Sequence, residues 1–167
     1  MLVLALSQFS YMIDSPRKSI LRFFHIILAT LSLATLAGCA ESREPSIAFA
    51  QTTIEIADKH IQVEVAANFK QRRQGLMFRK TLCADCGMLF VYPENQYASM
   101  WMKNTSIPLD VAFISEKGVI TDITSMQPHS LKPVGSSAKV RYALEMNQGW
   151  FDAQKIKVGD GVKINGG

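Results

Sequence analysis

Thr53-Ile54-Glu55-Ile56-Ala57-Asp58-Lys59-His60-Ile61-Gln62-Val63-Glu64-Val65 decides the fold class. Ile54 and Ile56 alternate with polar residues on one side of Asp58-Lys59, and Ile61, Val63 and Val65 do so on the other. Period two sends successive side chains to opposite faces, so each arm reads as a strand with one buried and one wet face. The arms form a hairpin around Asp58-Lys59. That turn has no glycine, which leaves its type open.

Downstream, Ala67 to Phe78 changes period. Asn68 suits an N-cap, and Phe69, Arg72, Arg73 and Leu76 fit one short amphipathic helix. Gly75 suits its C-cap or a close backbone approach. Arg72, Arg73, Arg79 and Lys80 form a basic cluster. It reads as a solvated face, with lipid headgroups or an anionic ligand as the alternative contact.

Cys83-Ala84-Asp85-Cys86 then precedes the apolar run Gly87 to Tyr92. A local disulfide, half a metal site or a redox motif would each fit this spacing. A redox pair of the thioredoxin kind opens a helix, which lowers the thiol pKa, whereas this pair leads into a strand. The nearest histidines, His60 and His129, are far off in sequence, and structural zinc takes four ligands. A disulfide between Cys83 and Cys86 is the expectation.

Gly87 to Tyr92 is predicted as a central strand, Pro93 to Gln96 as a turn, and Tyr97 to Met102 as the next strand. Val111 to Ile114 and Val119 to Thr124 flank Glu116-Lys117-Gly118 as a second hairpin. Met126 to Lys139 reads as a long loop, rich in Pro, Gly and Ser. Val140 to Asn147 is a strand, and Gly149 to Ala153 a short helix or turn. Lys157 to Gly161 is a turn before a last strand, Val162 to Ile164. Many short strands predict a mainly β fold: a compact antiparallel sandwich or small barrel with one or two short helices. The β domain is expected over residues 52–167.

The first forty of the 167 residues are a different kind of sequence. Arg17, Lys18 and Arg22 precede an apolar run from Phe23 to Ala37, too short for a membrane span of about 20 residues. A basic segment followed by a short apolar one is the pattern of a secretory signal. Leu36-Ala37-Gly38-Cys39 resembles the lipobox of bacterial lipoproteins. That resemblance implies cleavage after residue 38, lipidation of Cys39, and a tether over 39–51. Met12 can serve as the start, because Met1 to Tyr11 adds nothing that a signal requires. The expected address is therefore exported and membrane-anchored, facing the periplasm or cell exterior, with the membrane as partner through Cys39.

The formal charge is +4, and about half of it comes from Arg17, Lys18 and Arg22 against Asp14. The domain itself is only mildly basic. It shows no recognition helix and no aromatic-basic RNA motif, so nucleic acid is not the expected partner.

Several separated stretches resemble one known family. They are Arg73-Gln74-Gly75-Leu76-Met77-Phe78-Arg79, Gly87-Met88-Leu89-Phe90, Trp101-Met102-Lys103-Asn104-Thr105 with Ile107-Pro108-Leu109-Asp110, Leu144-Glu145, and Lys157-Val158-Gly159-Asp160. In that order they are similar to the uncharacterised family called domain of unknown function 192. The resemblance implies a compact, mainly β domain, often exported or lipid-anchored, and supplies no activity. Cys83 and Cys86 lie outside its common pattern.

Ser99 to Asp110 carries the most unusual chemistry, with indole, thioethers, ammonium, amide and carboxylate close together. A small polar ligand would use Trp101 for stacking, Lys103 for an anionic group, Asn104 and Thr105 for hydrogen bonds, and Asp110 beyond a Pro-fixed turn. The plain alternative makes Trp101 core, has Asn104 bond turn backbone, and pairs Lys103 with Asp110 or Glu145. A Lys103/Asp110 acid–base pair is the weaker enzyme reading. There is no nucleophile elbow, His-Glu-x-x-His or phosphate loop. Met100 and Met102, with Met77, Met88, Met126 and Met146, suggest a Cu(I) site in soft sulfur, against ordinary core filling. The function expected is non-catalytic binding of a small ligand or envelope component, with no cofactor; a purely structural or interaction domain is the alternative.

Overall fold

A computed structural model of the chain describes residues 47–164. The signal region, Cys39 and the tether up to residue 46 lie outside the described residues. Seven strands form one curled sheet: β1 (Ala50–Ile56), β2 (Lys59–Ala66), β3 (Gly87–Met100), β4 (Leu109–Ile114), β5 (Ile120–Met126), β6 (Val134–Asn147) and β7 (Val162–Ile164). Two short helices, α1 (Phe69–Gln74) and α2 (Trp150–Ala153), complete it. The mainly β expectation holds, with a half-barrel rather than a sandwich as its form.

The spatial order is β5-β4-β6-β3-β2-β1-β7. All neighbours are antiparallel except β2 and β3, which run parallel. A parallel pair needs a crossover, and residues 67–86, carrying α1, supply it. The two edges of the sheet meet at one end. Val119 bridges Gly161, and Val162 N–H donates to Gly118 O at 2.7 Å.

The first hairpin forms as expected, with β1 beginning at Ala50. Its turn residues are Ala57 and Asp58 rather than Asp58 and Lys59. Ile56 pairs with Lys59, and both turn residues have positive φ (47° and 60°), the type I′ geometry. Asn68 caps α1 through a reciprocal box: its side chain accepts from Gln71 N–H, and the Gln71 side chain accepts from Asn68 N–H. Gly75 ends the helix at φ 49°, where an added Cβ would sit 3.1 Å from the Phe90 ring.

Two sequence expectations need correction. Pro93 to Gln96 is not a turn between strands, because β3 runs through it. Val91 pairs with Tyr142 but Gln96 with Val140, so the extra β3 residues form a bulge. Pro93 lacks an N–H and is tolerated where the ladder is already interrupted. The loop expected over Met126 to Lys139 is also shorter, since β6 begins at Val134. Gly135 pairs with Ser99, and Ser136 Oγ accepts from Ala98 N–H and donates to Ala138 O. Local hydroxyl bonds thus hold a stretch with little apolar content in the sheet.

Both faces of the sheet are covered. Met88, Phe90, Met102, Leu109 and Phe113 fill one core with Leu76 from the crossover. Ile54, Ile56, Ile114, Leu144, Trp150 and Phe151 fill the other. A fully buried Phe113 or Ile54 contributes roughly 1.5–3 kcal/mol, so α2 is held by Trp150 and Phe151 rather than by its four residues of helix.

A candidate small-ligand site over Glu145

β6 alternates across the sheet: Leu144 and Met146 enter one core and Ala143 the other. Glu145 shares the face of Ala143, paired with Met88 on β3 and Val111 on β4. A carboxyl is thereby carried into apolar surroundings and is only 4% exposed. No group among the described residues hydrogen-bonds that carboxyl, yet no fully enclosed polar side-chain atom lacks a partner. The Glu145 oxygens therefore reach open space. Burial pushes its pKa up to about 8, so it is mostly a neutral acid at pH 7. In that form it has an O–H to donate.

The open space is a cleft of about 80 Å³ bounded by Glu145, Arg72, Met77, Met100, Trp101 and Thr105. It has room for a few waters or a small molecule. Arg72 Nη1 donates to the carbonyls of Ala67 and Val91, the second at 3.0 Å, which pins α1 to β3. Arg72 does not pair with Glu145. Tyr92 lies in the same electrostatic neighbourhood and donates its hydroxyl to Met100 Sδ at 3.3 Å. Burial, helped by the Glu145 charge and opposed by Arg72, pushes the phenol up to about 12. Three depressions elsewhere are larger: about 440 Å³ beside Asp58 and Asp160, about 510 Å³ beside the cysteines, and about 240 Å³ between Trp101, Ser130 and Lys132. None of the three is lined by a buried polar side chain, so none has the chemistry of the Glu145 cleft.

The expected site residues divide. Trp101, half exposed, and Thr105, buried, border the cleft. Lys103 and Asn104 do not border it; they form the tight turn beside it. Thr105 N–H donates to Met102 O at 3.1 Å, and Asn104 takes φ 56°, a conformation Asn tolerates in turns. Asn104 O accepts from Phe78 N–H, which joins this turn to the loop after α1. Lys103 Nζ lies 5.4 Å from the centroid of the Trp101 ring, a cation–π contact, and makes no ion pair with Asp110 or Glu145.

Asp110 belongs elsewhere. Its strand neighbours are Ser125 and Met146, which put it on the opposite sheet face from Glu145. Its carboxylate accepts from Ser125 Oγ at 2.6 Å and from Gly149 N–H at 2.7 Å. It fixes the start of α2, and the Lys103/Asp110 pair does not assemble. The methionines are dispersed: Met77 and Met100 border the cleft, Met88, Met102 and Met126 are buried in one core and Met146 in the other.

Cys83 and Cys86 are joined, with Cα atoms 5.1 Å apart. Asn147 Nδ2 donates to Cys83 O at 2.8 Å and Trp150 Nε1 to Asp85 Oδ1 at 2.9 Å, so the small loop braces the end of β6 and α2. Glu145 is the functional candidate that sequence reasoning passed over. Its signal was a lone carboxyl following the apolar run Tyr142-Ala143-Leu144 and preceding Met146.

Comparison with known proteins agrees with this architecture. The chain is similar to a candidate transcription regulator from Sinorhizobium meliloti 1021, solved by crystallography: 35% identity, 71% of this chain and 97% of that one, TM-score 0.68. It is also similar to a protein of unknown function from Novosphingobium aromaticivorans DSM 12444: 28% identity, 74% and 95% coverage, TM-score 0.63. No protein of curated function matches it. Residues 50–164 match the model of the family DUF192, described as Uncharacterized ACR, and the chain belongs to that family.

Proposed function

We propose that this protein is a lipid-anchored domain of the cell envelope that binds a small polar ligand in the cleft over Glu145. The observation that carries the binding reading is a buried carboxyl with no hydrogen bond among the described residues, open to a cleft between Arg72 and Trp101. The Glu145 oxygens face the cleft, where water or a ligand can meet them. A ligand that accepts from the Glu145 O–H takes the place of that water and adds contacts to the cleft walls. Arg72 and Arg73 on the helix side suit an anionic end, and the half-exposed Trp101 ring suits a flat or apolar one. A short organic acid fits both demands and the volume.

The address rests on the basic segment, the short apolar run and Leu36-Ala37-Gly38-Cys39. The Cys83–Cys86 disulfide supports it, because such bonds persist in oxidising compartments. The regulator description of the Sinorhizobium relative is not carried over. The described helices have six and four residues, too short to serve as a recognition helix.

The test is thermal shift of residues 40–167 against acetate, lactate, succinate and N-acetylglucosamine, beside Glu145→Ala. A ligand at one hundred times its Kd adds about 2.7 kcal/mol to the native state. The expected result is a rise in melting point with a carboxylate, lost in Glu145→Ala. No rise with any of the four, or an equal rise in the variant, would overturn the reading.

A further inference from the structure

Three loops lie side by side at one end of the domain: residues 75–80 after α1, the turn 101–106, and the loop 127–133. Phe78 N–H donates to Asn104 O at 2.8 Å, and Ser106 Oγ to Arg79 O at 3.1 Å. Met102 N–H donates to Ser130 O and His129 N–H to Thr105 O, both at 3.0 Å. The loops are thus tied into one surface. That surface exposes large apolar side chains: Phe78 is 71% exposed, Leu131 65% and Trp101 49%. Among them stand Arg73, Lys80, Lys103 and Lys132, all exposed, and the three loops with α1 contain no Asp or Glu. The other end of β1 is different, because the turns there mix Asp58, Glu116 and Asp160 with Lys117 and Lys157.

We propose that this end is a docking surface for an anionic lipid bilayer. Aromatic rings and leucine among cations is the composition of an interfacial membrane contact, and the one carboxylate bonded to these loops, Glu64, is neutralised by Arg79. Each Lys or Arg near such a surface contributes about 1 kcal/mol, about fivefold in affinity. The path of the chain adds an independent reason. Ala48 O accepts from Gln71 Nε2 at 2.8 Å, and the Arg79 guanidinium lies 5.8 Å from the Phe49 ring centroid. The polypeptide coming from Cys39 therefore joins the domain beside this same surface. From Cys39 to Ile47 it spans at most about 28 Å when fully extended. The proposal rests on the lipid-anchor reading for its biological setting, and its physical content is tested without the anchor.

The test uses residues 40–167, the span that holds both cores; the Sinorhizobium crystal structure consists almost wholly of the matching domain. Vesicles of phosphatidylcholine alone and with one third phosphatidylglycerol are sedimented with the protein. The chain has two tryptophans, and Trp150 is buried, so a blue shift of emission on binding reports Trp101. The expected result is binding to the anionic vesicles only, weakened by salt, with a blue shift. Lys80→Gln/Lys103→Gln/Lys132→Gln should lose about a hundredfold, and Phe78→Ser/Leu131→Ser should bind more weakly at unchanged charge. None of these five residues borders the Glu145 cleft. Both variants should melt like the parent. Equal binding to neutral vesicles, no binding, or full competition by free glycerol phosphate or duplex DNA would overturn the proposal. Membrane fractionation of the full chain beside Cys39→Ala reads the anchor separately.

Discussion

Glu145→Gln should stabilise the domain, and by an amount that grows with pH. The native carboxyl titrates at about 8 against 4.5 when exposed, because burial penalises its charged form. Between those values the native state holds a proton that the unfolded state has released. Stability is therefore fully present below pH 4.5, falls as pH rises, and levels off above about 8. The slope is about 1.4 kcal/mol per pH unit for one proton. That amounts to about 3 kcal/mol at pH 7 and about 5 kcal/mol at pH 9, against a typical domain stability of about 5–15 kcal/mol. Glutamine keeps the shape and has no proton to lose. Urea unfolding of both proteins from pH 4 to 9 isolates the effect, since every other titrating group cancels in the difference. With a slope near 2 kcal/mol/M, the variant midpoint at pH 7 should lie higher by about 1.5 M, and at pH 4 the two should nearly coincide. Parallel curves across pH 5–8 would refute the reasoning, because they would mean that Glu145 is solvated or paired in solution.

Asp110→Ala should destabilise the domain by about 2–3 kcal/mol, since it leaves Gly149 N–H without its charged acceptor at the start of α2; thermal unfolding measures it. Ala57→Asn/Asp58→Gly should raise stability by about 1 kcal/mol, because both positions need positive φ. Reducing Cys83–Cys86 should lower stability by about 2 kcal/mol on loop entropy, read as the melting point with and without a phosphine reductant.

Much of the fold was legible because its strands obey simple periods. Ile54 to Val65 alternates cleanly, and it forms the hairpin; Asn68 and Gly75 marked the two ends of α1. The misreadings have one cause. Gly135 and the serines near it are local breakers, yet they lie where long-range pairing with a neighbouring strand prevails, and Pro93 sits in a bulge with paired residues on both sides of it. β3 and β6 share the longest ladder of the sheet, running from Gly87–Met146 to Met100–Val134, and that pairing is invisible to a local window.

The site was legible in part, for a related reason. Trp101 and Thr105 stand out because their neighbours are odd for a strand, and both border the cleft. Asp110 was misplaced because sequence proximity to Lys103 says nothing about sheet face. β4 runs away from the turn, and its alternation sends Asp110 across the sheet to Ser125 and Gly149. Glu145 was passed over because a single Glu in a strand usually marks the wet face. Only the pairing of β6 with β3 on one side and β4 on the other shows that this strand has no wet face at Glu145. A charge in a central strand whose other face is apolar is a question about what closes over it. Here α1 and its loop close over it incompletely and leave the cleft. The destabilisation expected from Glu145 at neutral pH and the binding reading are thus two consequences of one placement, and the Glu145 variants test them independently.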